Sequence, residues 1–293
     1  MPRYRLIAAD IDGTLLDGRG EFRPAVQESL RRALAVGLHV VLCTGRRYRT
    51  AAPIAQEAGL DLPIICHSGA LVKDTARHET LFANPLPQPD LELLLASLAD
   101  FGLTPMAYTD TFETATDFYV ERGAALTRYH EDYLAKNEGS YTVVDTLWSD
   151  IPAPVVQICT FGELDELRSA QRELRQRLEG RTTCHLLSSA KYLGNFLEFQ
   201  SSSASKWNAL CQLLASAGIA PDEVVAIGDD ENDISMLQGA GLGVAMGIAS
   251  YAVKSAADVV TATNDEDGAA RVIEKLLERR QMPNARCQLP NCQ

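Results

Sequence analysis

The chain has 293 residues, of which 46% are hydrophobic and 23% charged, and its formal net charge at pH 7 is −12. This composition is typical of a globular protein, and the length allows two domains. The negative charge argues against a nucleic-acid-binding surface, which needs a basic stripe. No hydrophobic run approaches the ~18 residues of a membrane span, and the first residues, MPRYRLIAAD, lack the hydrophobic segment of a signal peptide. We therefore predict a cytoplasmic protein without nucleic-acid or membrane partners.

The first predicted strand, residues 4–9, runs directly into the sequence DIDGT at residues 10–14. Asp10 and Asp12 therefore lie at the carboxyl end of a strand, where open α/β sheets place their sites. A calcium loop of the EF-hand type would need glycine at its sixth position, where this chain has Leu15. A plain acidic turn is the other alternative, and the rest of the chain argues against it.

Hydrophobic periodicity predicts repeated βαβ units after this strand. Such repeats are typical of a parallel, doubly wound sheet, and we predict an α/β fold of this kind. The second strand runs into Thr44, Gly45 and Arg46, and the third is followed by Ser68. The predicted elements are a helix over 24–36, a strand over 39–43, a helix over 48–58 and a strand over 63–66.

The pattern changes at about residue 84, where three prolines precede a mixture of helices and strands. We predict an inserted α+β domain over 84–191, between the two parts of a discontinuous core, 1–83 and 192–280. Its predicted helices cover 91–101, 124–136 and 164–178, and its strands cover 105–109, 117–120, 155–160 and 184–187. The buried face of the third helix is predicted to carry Leu164, Leu167, Leu174 and Leu178. Residues 281–293 are predicted to form a mobile tail.

A second acidic cluster follows when the core resumes. Lys206 opens a helix that runs to Ala217, and a hydrophobic strand over 224–228 then ends in the sequence DDEND at residues 229–233. Four acids within five residues repel one another unless a cation compensates. Mg²⁺ takes oxygen ligands and completes its shell with water and substrate phosphate, so we predict it as the cofactor. A helix over 234–239, a strand over 242–245 and a helix over 269–279 complete the predicted core.

The seven cysteines and five histidines do not suggest a further metal site. Cys43, Cys66 and Cys159 stand in hydrophobic runs and are predicted to be buried thiols. Cys287 and Cys292 lie in the polar tail, and a zinc site would need more ligands there.

Taken in order, these motifs resemble those of the haloacid dehalogenase superfamily, and within it the Cof-type (subfamily IIB) phosphatases. The shared series is D-x-D-G-T, a strand ending in Thr44, Lys206, and G-D-x-x-N-D at residues 228–233. The insertion lies where this subfamily carries a large α/β cap, and the resemblance covers residues 4–278. One departure is Ser68, which is shorter than the asparagine usual at this position.

The resemblance implies a Mg²⁺-dependent phosphatase that hydrolyses small phosphorylated metabolites through an aspartyl-phosphate. Its substrates would be sugar phosphates or a phosphorylated cofactor such as pyridoxal phosphate or flavin mononucleotide. Asp10 would be the nucleophile and Asp12 the general acid and base. The implied metal residues are Asp10, Asp12 (by its backbone carbonyl), Asp229 and Asp233, and the implied phosphate or substrate residues are Thr44, Gly45, Arg46, Ser68, Lys206 and Asn232.

Some assignments stay open at this stage. Arg46 and Arg47 each suit either a phosphate contact or a salt bridge that holds the following helix. Asn264 and Asp265 fit the family pattern but also fit a simple turn. A phosphomutase and a non-catalytic phosphometabolite-binding protein are the alternative functions, and the chain is expected to be a monomer or a small homo-oligomer.

Overall fold

The structure is a computed structural model that describes residues 4–60, 63–188 and 191–281. In this part of the chain it contains fourteen strands and nine α-helices. Most of the predicted tail, residues 282–293 with Cys287 and Cys292, lies outside the described residues. No helix in the described ranges is long and hydrophobic enough to cross a bilayer.

The strands are short, and most are three to five residues long. They are β1 Leu6–Ala9, β2 His39–Cys43, β3 Ile64–Cys66, β4 Leu71–Lys73, β5 Thr80–Ala83, β6 Met106–Thr109, β7 Phe118–Glu121, β8 Tyr141–Val144, β9 Val155–Gly162, β10 His185–Ser188, β11 Asn195–Phe199, β12 Val224–Gly228, β13 Leu242–Ala245 and β14 Val259–Val260.

The helices alternate with these strands along the chain. They are α1 Pro24–Ala35, α2 Tyr48–Glu57, α3 Gln88–Asp100, α4 Arg128–Lys136, α5 Leu164–Arg177, α6 Lys206–Ala217, α7 Ile234–Gly239, α8 Tyr251–Ala256 and α9 Gly268–Gln281.

The described residues form two compact units. Unit 1 comprises those within Met1–Cys43, Ala55–Leu62 and Leu213–Gln293. Unit 2 comprises those within Thr44–Ile54 and Pro63–Gln212. The predicted domain boundaries at residues 83 and 191 do not coincide with the limits of these units. The units group residues that are close in space, whereas the prediction follows the order of segments along the chain. Those boundaries stay a prediction.

Unit 1 carries a parallel sheet with the strand order β14-β13-β12-β1-β2. Strand β1 lies between two partners, since Leu6 pairs with Val224 of β12 on one side and with His39 of β2 on the other. The side chains of β1 are buried, as expected for a parallel strand covered on both faces. Because neighbouring parallel strands end at the same edge, the residues that follow β1 and β12 meet there. The predicted α/β fold with a parallel sheet is confirmed.

Unit 2 contains a six-stranded sheet with the order β10-β11-β9-β6-β7-β8. Its strand pairs are antiparallel except for β7 with β8. Leucines of α3 and α5 belong to one hydrophobic cluster together with residues of this sheet. Aromatic side chains of α4 and of the sheet belong to a second hydrophobic cluster. Strands β3, β4 and β5 form an antiparallel ladder in the same unit.

Two details of the prediction were wrong. Helix α4 begins at Arg128 and not at 124, because Thr127 has an extended backbone and caps the helix. Leu164 is 38% exposed and does not share the buried face of α5. It lies in the first turn of the helix among exposed acidic neighbours, and the buried face starts at Leu167. The predicted burial of Cys43, Cys66 and Cys159 is confirmed.

Candidate active site

Three carboxylates converge at the end of the unit 1 sheet. One oxygen atom from each of Asp10, Asp229 and Asp233 lies within 4.8 Å of the other two. Asp10 directly follows β1, and the other two belong to the loop after the adjacent strand β12. The Asp12 side chain is exposed and outside this group. The family resemblance implies a metal contact through its backbone carbonyl and not through its carboxylate.

Gly13 allows the loop after β1 to approach Asp229 closely. Its φ of +76° is a left-handed conformation that side chains disfavour, and a Cβ atom here would lie 2.4 Å from Asp229 Oδ2. The next residue, Thr14, is buried and donates a hydrogen bond of 2.8 Å from Oγ1 to Asp229 Oδ1. Besides its two acids, the D-x-D-G-T sequence therefore contributes Gly13, which leaves room for the Asp229 carboxylate, and Thr14, which donates a hydrogen bond to it.

Asp233 is fully buried and organises its own loop. Its Oδ2 accepts hydrogen bonds of 3.0 Å from the backbone N–H groups of Asp229 and Asp230. Gly228 makes room for it, because a Cβ atom there would lie 2.4 Å from Asp233 Cγ. Asn232 belongs to the same short 3-10 turn, Glu231–Asp233. Asp233 thus shapes the backbone that presents Asp229.

The donor set of this cluster fits Mg²⁺. All three side chains offer carboxylate oxygens, and neither histidine nor cysteine belongs to the group in the described ranges. Oxygen-only ligation suits hard cations such as Mg²⁺ and Ca²⁺. Three like charges this close repel one another, and a divalent cation offsets that repulsion.

Asn264 and Asp265 hold the segment that follows the first motif. The buried Asn264 donates from Nδ2 to the carbonyl oxygen of Leu16 at 2.8 Å, and Asp265 Oδ1 accepts from the backbone N–H of Gly18 at 2.9 Å. Both bonds join parts of unit 1 that are far apart in sequence. In the described structure these two residues hold the segment at residues 16–18 through these hydrogen bonds.

The predicted phosphate residues of unit 2 lie around one turn. Thr44 is buried, and its Oγ1 accepts a hydrogen bond of 3.1 Å from the backbone N–H of Arg46. The carbonyl oxygen of Thr44 accepts a hydrogen bond of 3.0 Å from the backbone N–H of Ser68. The carbonyl oxygen of Arg46 accepts one of 3.1 Å from the backbone N–H of His67. A hydroxyl that accepts in this way can also donate its proton to an acceptor such as a phosphoryl oxygen. Gly45 and Arg46 are partly exposed in the same loop.

The same turn contacts the start of α6. Gly69 packs so closely on the Ser205–Lys206 peptide that a Cβ atom would lie 2.1 Å from the Ser205 carbonyl oxygen. Lys206 is 1% exposed, and burial of a lysine is rare unless its charge is compensated. The structure therefore gathers Thr44, Ser68 and Lys206, which are distant in sequence, around residues 67–69.

Arg47 forms the salt bridge that was one of its two alternatives. Its buried guanidinium donates to Asp117 Oδ2 at 2.8 Å and to Asn137 Oδ1 at 2.5 Å. Asp117 also accepts from Arg49 Nε at 2.8 Å, so one carboxylate joins two arginines. Arg47 therefore links the segment after Thr44-Gly45-Arg46 to strand β7, within unit 2.

The family profile of the haloacid dehalogenase-like hydrolases matches residues 7–273. The chain belongs to this family. The phosphatase YwpJ of Bacillus subtilis is 32% identical over 304 residues, which cover 93% of this chain and all of YwpJ. The pyridoxal phosphate phosphatase YbhA of Escherichia coli is 27% identical over 285 residues, 92% of this chain and 97% of the relative. A subclass IIB sugar phosphatase of the superfamily, BT4131, shares the fold with a TM-score of 0.74 at 24% identity, covering 92% of this chain and 98% of that one.

Membership of the haloacid dehalogenase-like hydrolases confirms the resemblance noted in the sequence. The predicted class of enzyme, a hydrolase of the phosphatase type, is confirmed at the level of the family. The chain covers nearly the whole length of these relatives, so the match includes residues 84–191 as well as the motifs.

Several residues near the candidate site were not predicted. His67 is buried beside Ser68, and its ring Nδ1 lies 2.9 Å from Gln157 Oε1 on β9. Burial lowers the pKa of His67 to about 4, so the imidazole is neutral at pH 7. Asp117 was missed as well. Each of these is a single polar residue in or beside a strand, and no local sequence pattern predicts its role.

Proposed function

We propose that this protein is a Mg²⁺-dependent phosphatase that hydrolyses monoesters of small phosphorylated metabolites through an aspartyl-phosphate on Asp10. The observation that carries the proposal is the cluster of Asp10, Asp229 and Asp233 oxygens at the carboxyl ends of β1 and β12. The substrates proposed are sugar phosphates or a phosphorylated cofactor such as pyridoxal phosphate or flavin mononucleotide. Activity of the relative YbhA on pyridoxal phosphate supports including that class.

Asp10 is the proposed nucleophile. Asp10 is 6% exposed, and its backbone N–H donates a hydrogen bond to the carbonyl oxygen of Ile227 on β12. The backbone that carries its carboxylate is therefore held in place at the end of a buried strand. A covalent intermediate divides a very slow hydrolysis into two easier steps. The oxygen of Asp10 attacks phosphorus, the ester oxygen leaves, and water later cleaves the acyl phosphate to release phosphate and restore Asp10.

Asp12 is the proposed general acid and base. Its side chain is exposed and separate from the three clustered carboxylates. A carboxyl group in this position can donate a proton to the departing ester oxygen and then accept one from the attacking water. The two acids of the D-x-D motif therefore have different surroundings, which suits two different roles.

Asp10, the backbone carbonyl of Asp12, Asp229 and Asp233 are the proposed metal residues. Asp233 supports the loop through its bonds to two backbone N–H groups, and Thr14 orients Asp229. When bound, Mg²⁺ would offset the charge repulsion between a carboxylate nucleophile and a phosphate ester.

Thr44, Gly45, Arg46, Ser68, Lys206 and Asn232 are the proposed phosphate or substrate residues. The hydroxyl of Thr44 and the ammonium of Lys206 suit the equatorial oxygens of a phosphoryl group. Their common contact with the turn at 67–69 supports a joint role in unit 2.

The test is phosphate release from a panel of phosphorylated sugars, pyridoxal phosphate and flavin mononucleotide, with Mg²⁺ and with EDTA. We expect release from a subset, and its loss in EDTA. A folded protein that releases no phosphate from any compound would contradict the proposal. A requirement for a bisphosphate activator would instead identify a mutase.

A further inference from the structure

The turn that gathers the proposed phosphate residues has an unfavourable backbone. His67 and Ser68 both adopt left-handed conformations, with φ of 48° and 54°, although neither is glycine. Such conformations persist when surrounding contacts hold them in place. The local backbone bonds of this turn join it to Thr44 and Arg46 but do not explain how the His67 side chain is fixed.

A chain of hydrogen-bonded side chains reaches His67 from the six-stranded sheet. Gln157 Oε1 lies 2.9 Å from His67 Nδ1 and accepts a hydrogen bond of 3.1 Å from Gln200 Nε2. Gln200 Oε1 in turn accepts from the hydroxyl of Thr183 at 2.7 Å. His67, Gln157 and Gln200 are each at most 3% exposed. We call this chain of His67, Gln157, Gln200 and Thr183 the glutamine relay.

The donors of the glutamine relay converge on the Gln157 oxygen from both sides. The Gln157 oxygen already accepts from Gln200, so the same oxygen accepts from His67, and His67 Nδ1 carries a proton. Tyr108 lies against the ring with a centroid distance of 5.8 Å. The neutral imidazole with Nδ1–H is therefore the form that these contacts select.

We infer that Gln157 is a positioning residue, which acts through His67 to hold the turn at 67–69 and with it Thr44, Ser68 and the start of α6 at Lys206. Its link to phosphate binding rests on the proposed function. The link to the turn does not, because it follows from the hydrogen bonds alone. Gln157 itself is not proposed to touch substrate.

Hydrogen exchange of single amides tests the structural part. The backbone N–H groups of His67, Ser68 and Ala70 are hydrogen-bonded, so their exchange reports the opening of this turn. In Gln157→Leu we expect these amides to exchange at least about 10-fold faster, because a buried donor on His67 loses its acceptor. Gln157→Glu keeps an acceptor oxygen and is expected to exchange like the parent.

A matched control is Gln171→Leu. Gln171 lies on α5 in the same unit and donates to a backbone carbonyl, that of Cys184, at 3.1 Å, outside the relay. It is expected to leave the exchange at 67–70 unchanged. If Gln157→Leu does not fold, His67→Asn replaces it. Asparagine tolerates the left-handed backbone but is too short to reach Gln157, and the same faster exchange is expected.

Binding of inorganic phosphate, measured by calorimetry, tests the functional part. We expect Gln157→Leu to weaken it about 10-fold and Gln157→Glu to restore it. Parent-like exchange at 67–70 in a folded Gln157→Leu protein would overturn the inference. Faster exchange with unchanged phosphate binding would overturn the link to these residues. Failure of the parent to hydrolyse any ester would refute the proposed function while leaving the exchange result to stand by itself.

Discussion

The hydroxyl of Thr14 donates a hydrogen bond of 2.8 Å to Asp229 Oδ1, across 215 positions of sequence. The two residues follow adjacent parallel strands, β1 and β12. Gly13, which directly precedes Thr14, has no side chain that would collide with Asp229. The bond engages Oδ1, one of the two carboxylate oxygens of Asp229. It supplies a donor to a partly buried carboxylate that lies close to two others.

Replacement of Thr14 by valine tests this bond. Valine keeps the shape of the side chain but removes the donor to a charged oxygen, so we expect a loss of about 1.5–3 kcal/mol in the free energy of unfolding. We also expect weaker Mg²⁺ binding, because Asp229 is no longer oriented. Chemical denaturation and calorimetric titration with Mg²⁺ measure the two effects. An unchanged metal affinity in Thr14→Val would show that the orientation of Asp229 does not depend on this donor.

Gly13 and Gly20 form a natural pair for testing the close approach. Both have left-handed φ values, +76° and +80°, but a Cβ atom at Gly20 would meet nothing within 4 Å. Gly20→Ala is expected to cost about 1–2 kcal/mol from backbone conformation alone. Gly13→Ala is expected to cost more and to abolish stabilisation by Mg²⁺, because the methyl group displaces Asp229. Equal losses in the two variants, measured by thermal unfolding with and without Mg²⁺, would contradict this account.

Asp10→Asn is expected to reduce phosphate release by at least about 1,000-fold, because an amide cannot form the acyl phosphate. In EDTA the variant is expected to unfold at the same or a higher temperature than the parent, since one of three clustered charges is gone. Asp230→Asn is the control; Asp230 is exposed and its Oδ1 accepts from the backbone N–H of Glu231. Turnover by Asp10→Asn at the parent rate would reject Asp10 as nucleophile.

Metal removal is expected to lower the melting temperature of the parent. A ligand at 100 times its Kd stabilises the folded state by about 2.7 kcal/mol, so saturating Mg²⁺ gives a shift of several degrees relative to EDTA. Asp229→Asn is expected to lose most of this shift. Differential scanning calorimetry at a series of Mg²⁺ concentrations measures it. A parent protein with the same melting temperature in both conditions would argue against a cation at this cluster.

The buried His67 predicts a dependence of stability on pH. Burial lowers its pKa to about 4 in the folded protein, with a further lowering by the charge of Arg47, against 6.5 for the exposed group. The unfolded chain then binds the proton more readily, so stability is present above pH 6.5 and is lost as the pH falls from 6.5 towards 4. The difference corresponds to roughly 3 kcal/mol. Denaturation curves of the parent and His67→Asn across this range should converge as the pH falls.

Sequence periodicity located most of the core elements. Predicted strands over 39–43 and 242–245 and a helix over 234–239 agree with β2, β13 and α7. Strands β4 and β5 were not predicted. Helix α8 was missed too, although Ser250 caps it through a bond from the Val253 N–H and could have marked its start.

The acidic half of the candidate site could be predicted because each of its two motifs is continuous in sequence. The residues of the glutamine relay could not, since His67 and Gln157 are 90 positions apart and neither stands in a recognisable pattern. The same holds for Asp117, which pairs with Arg47 across 70 positions. Pairings of single polar residues are set by tertiary structure, and periodicity carries no information about them.

The placement of β12 next to β1 also fixes the order in which the protein can mature during translation. Asp10 is translated before unit 2, whereas Asp229 and Asp233 follow only after all of unit 2 has been made. The carboxylate cluster cannot assemble until β12 is available to pair with β1. A chain that stops within unit 2 thus contains Asp10 without Asp229 and Asp233, and the proposed chemistry becomes possible only after β12 and the loop that follows it have been made.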